Sequence, residues 1–303
     1  MPKISVIIPT YGMPVYLKKS ILSVINQTID DWELIVVDDN DPDTEARIAT
    51  ERLVSAFCKQ DPRITYINHE RNKNGAAARN TGIKAAHGEY IAFLDSDDEY
   101  MPTRFEKCLM AMENTLDNVA GVYTGCEFRH SDKVYHVQEN VESGNFLVET
   151  LACTFHFCTG SNIFVKKSAV DSVKGFDEAF LRHQDYEFLV RIFEKYTLKA
   201  IPQVLVIKNN ENRNLPNVEK MIEIKAQYLQ KYQYILEGMC KDDTHYIYSQ
   251  QYYSIAEAAI RSHKRSIASK YFKMARKYRR VSLKQKCRFL IFFMMSLFGI
   301  EGK

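Results

Sequence analysis

Four carboxylates, Asp95, Asp97, Asp98 and Glu99, crowd into five positions directly after the apolar run of residues 90–94. Like charges this close repel, and burying them is costly unless something positive is supplied. A second acidic pair, Asp38-Asp39, ends another apolar run, residues 32–37. Carboxylates in such places suit a divalent cation. Mn²⁺ and Mg²⁺ prefer oxygen ligands and often take only one or two carboxylates, leaving positions for phosphate and water. An ion held this way stabilises the charge that builds on a departing diphosphate. The glycine-loop solutions to phosphate binding are absent, since no GxGxxG follows a strand and no GxxxxGK[ST] occurs.

The elements that must position these acids are legible in the first hundred residues. Residues 4–8, 32–37, 63–68 and 90–94 read as strands, and 16–27, 44–59 and 75–86 as helices. Continuous apolar strands alternating with helices predict a mostly parallel sheet flanked by helices, the α/β class. Ligands bind such sheets beyond the carboxyl ends of the strands. Pro9-Thr10-Tyr11, Asp38-Asp39 and Asp95-Ser96-Asp97 all follow strand ends, so they are expected to converge on one edge. Further apolar segments at 119–123, 161–165 and 201–207 extend the sheet domain to residue 212, and the polar stretch 209–216 reads as the boundary. Residues 213–303 read as helical, with helices at 218–239, 245–262 and 266–278.

Composition is that of a globular chain, 46% apolar and 26% charged in 303 residues. The net charge of +3 conceals an asymmetry: residues 261–303 hold 13 Lys/Arg and one acid, so the remainder is −9. Seven scattered cysteines without CxxC spacing predict neither a disulfide framework nor a zinc site, and suggest a reducing compartment. The opening MPKISVIIPTYG lacks the long apolar region of a signal peptide. Residues 289–300 are too few to span a bilayer. Basic residues beside a short aromatic-rich apolar helix fit an anionic membrane surface; the bland reading is a terminal helix packed on the body or on a second subunit. Nucleic acid is not an expected partner.

Four stretches then match a known family in order and spacing: SVIIPTYG (5–12), ILSVINQTIDDWELIVVDDND (21–41), NGAAARNTGIKAAHGEYIAFLDSDDEYMP (74–102) and GFDEAFLRHQDYEFLVRI (175–192). The chain resembles the family 2 inverting glycosyltransferases of GT-A fold, of the kind used in bacterial surface polysaccharide assembly. The resemblance implies that Pro9, Thr10 and Tyr11 line a nucleotide pocket and that Asp39 accepts from the base. It implies further that Arg79, Asp95 and Ser96 contact the nucleotide, Asp97 holds a divalent Mn²⁺ or Mg²⁺, and Asp185 is the catalytic base. His183 and Gln184 would touch the acceptor. One position departs from the family pattern: the usual Glu-Asp is Gln184-Asp185 here. For a basic residue after the sheet domain, Arg213 is the one candidate.

The function implied is transfer of a sugar from a nucleotide diphosphate, expected to be UDP, to a saccharide or lipid-linked saccharide, by a cytoplasmic enzyme at the inner face of the membrane. A homodimer through the helical region stays open. The residues leave two alternatives: a sugar-phosphate nucleotidylyltransferase, whose glycine-rich loop PTYGMP does not supply, and a non-catalytic nucleotide-sugar-binding or scaffold protein.

Overall fold

The computed structural model describes residues 1–139, 141–209 and 217–297, in two compact units. The first unit gathers 1–145 and 156–213, and the second gathers 146–155 and 214–303. Arg213 and most of the polar boundary stretch lie outside the described residues, as does the end of the apolar tail.

Unit one is built on a nine-stranded sheet. Its strands are β1 (Ile4–Thr10), β2 (Trp32–Asp38), β3 (Ile64–Asn68), β4 (Tyr90–Phe93), β5 (Glu99–Tyr100), β6 (Val119–His130), β7 (Lys133–Gln138), β8 (Phe164–Lys166) and β9 (Thr197–Asn209). Their order is 3-2-1-4-8-6-9-5, with β7 added on β6. The first four strands are parallel, as their unbroken apolar runs predict, and β8 enters antiparallel between β4 and β6. Helices α1 (Leu17–Ile25), α2 (Glu45–Gln60), α3 (Gly75–Ala85), α4 (Arg104–Met112), α6 (Lys167–Ser172) and α7 (Gln184–Phe193) accompany it; α5 (Leu147–Leu151) belongs to the second unit.

Register aligns the acidic positions. Thr10 lies opposite Asp38, Asp38 opposite Asn68, and Ile7 opposite Phe93. Strands β1 and β2 therefore run out at one level, and β4 ends three residues short of it. The interior behind that level is apolar: Ile4, Val6, Ile8, Leu34, Val36, Ala92 and Leu94 pack with Leu17, Ile21 and Val54. Full burial of each aliphatic side chain contributes about 1.5–3 kcal/mol, enough to hold the strand ends in place while they carry charge.

One expectation is corrected. Cys126, on β6, and Cys158 form a disulfide, although the spacing of the cysteines predicted none. The pair is 32 residues apart, so only the return of the chain to the β6 edge brings the two together. Cys58, Cys108, Cys153, Cys240 and Cys287 are free.

Unit two packs α5 with α8 (Val218–Lys231), α9 (Gln233–Gly238), α10 (Lys241–Arg261), α11 (Arg265–Tyr278) and α12 (Leu283–Leu297). The single helix read at 218–239 is broken at Tyr232, whose backbone leaves the helical region. Tyr228 and Gln251 donate to the Thr150 and Leu151 carbonyls at 3.0 and 2.6 Å, which ties α5 in. Among the described residues no helix is long and apolar enough to cross a membrane.

Candidate active site

A cleft of about 650 Å³ opens at the carboxyl ends of β1, β2 and β4. Pro9, Thr10, Tyr11, Asp39, Arg79, Asp95, Ser96 and Asp97 all line it, so the structure gathers the nucleotide and metal candidates into one cavity. Asp185, His183 and Gln184 are not on its wall; their neighbours Leu181 and Arg182 are.

The two acids after β2 face different ways. Asp38 is fully buried and structural, taking Tyr66 Oη at 2.6 Å, Asn40 and the Arg47 guanidinium. Asp39 turns to the cleft. Its carboxylate accepts from His69, the Asn72 amide and the backbone N–H groups of Lys73 and Asn74 at 2.7–2.9 Å. It thus orients the loop that leads into α3. Asn74 caps that helix, with its side chain accepting from Ala76 and Ala77. Its positive φ of 102° turns the chain sharply at the cleft wall.

Arg79 is buried and central. One terminal nitrogen donates to Asp95 at 2.7 Å, and the other to Gln184 Oε1 at 3.0 Å. The guanidinium thereby joins α3, the end of β4 and the start of α7. Gln184, expected at the acceptor, accepts from Arg79 and donates to the Phe180 carbonyl. Its amide occupies the place of the carboxylate usual in the family, and Arg79 keeps Asp95 as its ionic partner.

Asp98 and Lys208 were missed from sequence. Asp98 is fully buried and accepts from Ser161 at 2.6 Å, Thr159 at 3.1 Å and the Asn209 N–H at 3.2 Å. Lys208, at the end of β9, donates to Thr159 Oγ1 at 3.1 Å and lies 3.8 Å from the Asp98 carboxylate. A short 3₁₀ turn, Gly160–Asn162, presents Thr159 and Ser161 to these acids. Arg104 braces that turn from behind, donating to Asn162 and the Ser161 carbonyl. The signal for Lys208 was faint: one lysine closing the apolar run 204–207.

The electrostatics divide the acids. Burial pushes Asp95 up, but Arg79 and then Lys208 outweigh it and hold the carboxyl below its ordinary range. Burial, reinforced by the charge of Asp95, raises Asp97. Burial raises Asp98 to about 7 against the opposing pull of Lys208. Asp185 is raised by burial, with Arg79 opposing and Asp95 adding. Lys208 is itself raised, since these four acids outweigh its burial. Four carboxylates against Arg79 and Lys208 leave a formal excess of two negative charges.

Asp185 lies in the first turn of α7, where free N–H groups and the helix dipole favour a carboxylate. Its Oδ1 is buried and has no hydrogen-bond partner among the described residues. It lies against Gly160, where a Cβ would come within 2.7 Å of that oxygen, so only glycine leaves it room. His183, in the left-handed region with φ of 57°, turns the chain into α7 and sets its ring edge-on to Tyr186. Among the described residues no three His, Cys, Asp or Glu side chains group to hold a metal. The Asp97 carboxylate lines the cleft and takes its own backbone N–H.

A sheet of this order with a cleft at its strand ends defines an α/β protein of GT-A type. The model for Glycosyl transferase family 2 matches residues 5–174, and the chain belongs to that family. It is 32% identical over 259 residues to an uncharacterized glycosyltransferase of Methanocaldococcus jannaschii, covering 81% of this chain and 82% of that protein. It is 28% identical to the chondroitin synthase of Escherichia coli over 226 residues, 72% of this chain and 31% of that one. The fold is similar to the crystal structure of S. aureus TarS 1–349 in complex with UDP-GlcNAc, with a TM-score of 0.56, 15% identity and coverage of 97% and 81%. The chain is a glycosyltransferase, and the nucleotidylyltransferase and scaffold alternatives fall away.

Proposed function

We propose that the protein is an inverting glycosyltransferase that moves a sugar from a UDP-sugar to a saccharide or lipid-linked saccharide acceptor in polysaccharide assembly. The observation that carries this reading is the Arg79 bridge, which couples the Asp95 motif at the cleft floor to the segment bearing Asp185. The UDP-GlcNAc bound by TarS supports the donor class, and the likeness to a chondroitin synthase supports the product class.

In this reading Tyr11, two-thirds exposed on the cleft rim, covers the base, and Asp39 holds the wall beside it. The acceptor oxygen attacks the anomeric carbon, and the carbon–oxygen bond to the diphosphate breaks with its electron pair leaving on the diphosphate. Asp185 takes the acceptor's proton at Oδ1. A carboxylate with a raised pKa is a better base for that task than an ordinary one. One displacement without a covalent intermediate inverts the centre. The residues fit a divalent cation: Asp97 would hold it, with Asp95 alongside, and the excess of two negative charges matches it. When bound, Mn²⁺ or Mg²⁺ offsets the charge on the leaving diphosphate. A lipid-linked acceptor would set the reaction at the inner face of the cell membrane, in the cytoplasm where the donor is made. The sheet unit, here 1–212, would do the chemistry, and 213–303 would seat it.

Thermal shift with UDP, UDP-sugars and other nucleotides, each with Mn²⁺, Mg²⁺ or EDTA, tests the donor site. Asp185→Asn is expected to keep the UDP-dependent shift and to lose about 10²–10⁴-fold in turnover. A variant with full turnover would remove Asp185 from its role.

A further inference from the structure

Helix α12 is apolar on two opposite faces. On one, Phe289, Phe292 and Phe293 pack against Val218, Ala259, Ile260 and Ala268. Ser296 is buried on the same side and receives Arg265. The other face carries Leu283, Cys287, Leu290, Ile291 and Met294, all exposed; the leucines are 75% and 60% exposed and Ile291 58%. Steps of four, three, one and three residues set them in one stripe about 100° wide. On the same wheel Lys286 flanks the stripe on one side, and Lys284 and Arg288 on the other.

We propose that this stripe seats the protein on an anionic lipid bilayer. Charge selects the occupant. Among the described residues from 261 onward there are twelve Lys and Arg and no acid. Glu257 pairs with Arg261 and Arg288, and Glu219 with Lys264. Among the described residues Lys284 and Lys286 are in no ion pair, nor are Arg279 and Arg280 just before the helix. A second copy laid stripe to stripe would bring these cations against their own kind, with no carboxylate among the described residues of the face to receive them. Phospholipid headgroups supply the missing anions, and the acyl boundary takes the leucines. The described helix, 15 residues and about 22 Å, packs its opposite face on Val218, Ala259, Ile260 and Ala268, so the stripe meets the bilayer from the interface plane. The inference concerns where the enzyme sits and is independent of the donor chemistry.

The test is co-sedimentation of the full chain with vesicles of phosphatidylcholine alone and with about 30% phosphatidylglycerol. Wild type is expected on the anionic vesicles, with at least roughly tenfold preference over the neutral ones and release by high salt. Each Lys→Gln change at 284 or 286 is expected to weaken binding about fivefold. Leu290→Glu with Ile291→Glu is expected to abolish it, with unchanged circular dichroism and unchanged UDP-dependent thermal shift. Equal binding to both vesicle types, or undiminished binding by the double glutamate variant, would overturn the proposal. So would a solution dimer of the wild type that this variant converts to monomer, since a second copy would then cover the stripe. Loss of donor binding in every protein would fault the catalytic reading and leave this one standing.

Discussion

Lys208→Met removes the cation that faces four carboxylates while keeping a side chain of similar reach. At 3.8 Å from Asp98, a unit charge in an effective dielectric of about 20 contributes roughly 4 kcal/mol of attraction. Methionine recovers part of this, because the lysine no longer has to be desolvated, so a net loss of about 1–3 kcal/mol is expected. The loss has a pH signature. Asp97, Asp98 and Asp185 are already raised in the folded state, Asp98 to about 7 from 3.8. A raised carboxyl stabilises the fold below its unfolded pKa, and that contribution fades as pH climbs through the folded value. Without Lys208 these groups rise further, so the variant's deficit must grow between about pH 4 and pH 7 and above. Trp32 is the only tryptophan and lies in the core of the sheet, so its fluorescence reports unfolding of this unit alone. Urea midpoints at pH 5 and pH 8, in EDTA, give the comparison. Saturating Mg²⁺ or Mn²⁺ at pH 8 is expected to narrow the gap. An equal deficit at both pH values, or a more stable variant at pH 8, would refute the electrostatic account of Lys208.

Gly160→Ala forces Asp185 to move, because the new methyl would come within 2.7 Å of its Oδ1; a fall of about tenfold to a hundredfold in kcat is expected, with UDP affinity unchanged by calorimetry. Asp97→Asn removes a carboxyl repelled by Asp95. It is expected to be as stable as wild type or more so at pH 8 while losing the metal-dependent part of the UDP thermal shift. Lys225, buried with Gln251 as its hydrogen-bond partner at 2.7 Å, is lowered by burial. A lysine lowered in the fold depresses stability at neutral pH, and the penalty fades as pH rises toward 10.5. Lys225→Met is therefore expected to gain about 1 kcal/mol at pH 7, and less at pH 10, by thermal unfolding.

The parallel half of the sheet was readable because β1, β2 and β4 are largely buried on both faces and consist mostly of apolar residues. That Asp39, Asp95 and Asp97 would share one cleft was readable for the same reason, since each follows such a run, although Asp38 beside them is spent on the fold. What escaped has a common cause in long-range pairing. β7, KVYHVQ, is largely exposed and alternates without an apolar face, so only its ladder with β6 defines it. Asp98 is one carboxylate among four neighbours, and nothing local distinguishes the buried one from Asp97. Lys208 and Thr159 acquire meaning only when β9 and the 3₁₀ turn meet at Asp98. The disulfide depends on the same return of chain. Gln184 was read by position in its motif as an acceptor contact, and its bridge to Arg79 across 105 residues had no local signal.

The ten residues 146–155 have a consequence for anyone who would cut or graft this chain. They sit in the sequence of the sheet unit yet pack with 214–303. A clone stopped after residue 213 would strip the Thr150 and Leu151 carbonyls of Tyr228 and Gln251 and open the fully buried Leu151 to water. Such a fragment would carry an orphaned apolar loop, prone to self-association even if the sheet were intact. By the same logic the helical unit could not have been acquired by simple end-to-end fusion. Swapping it between relatives would require exchanging two segments at once, so the two units are expected to have been inherited together.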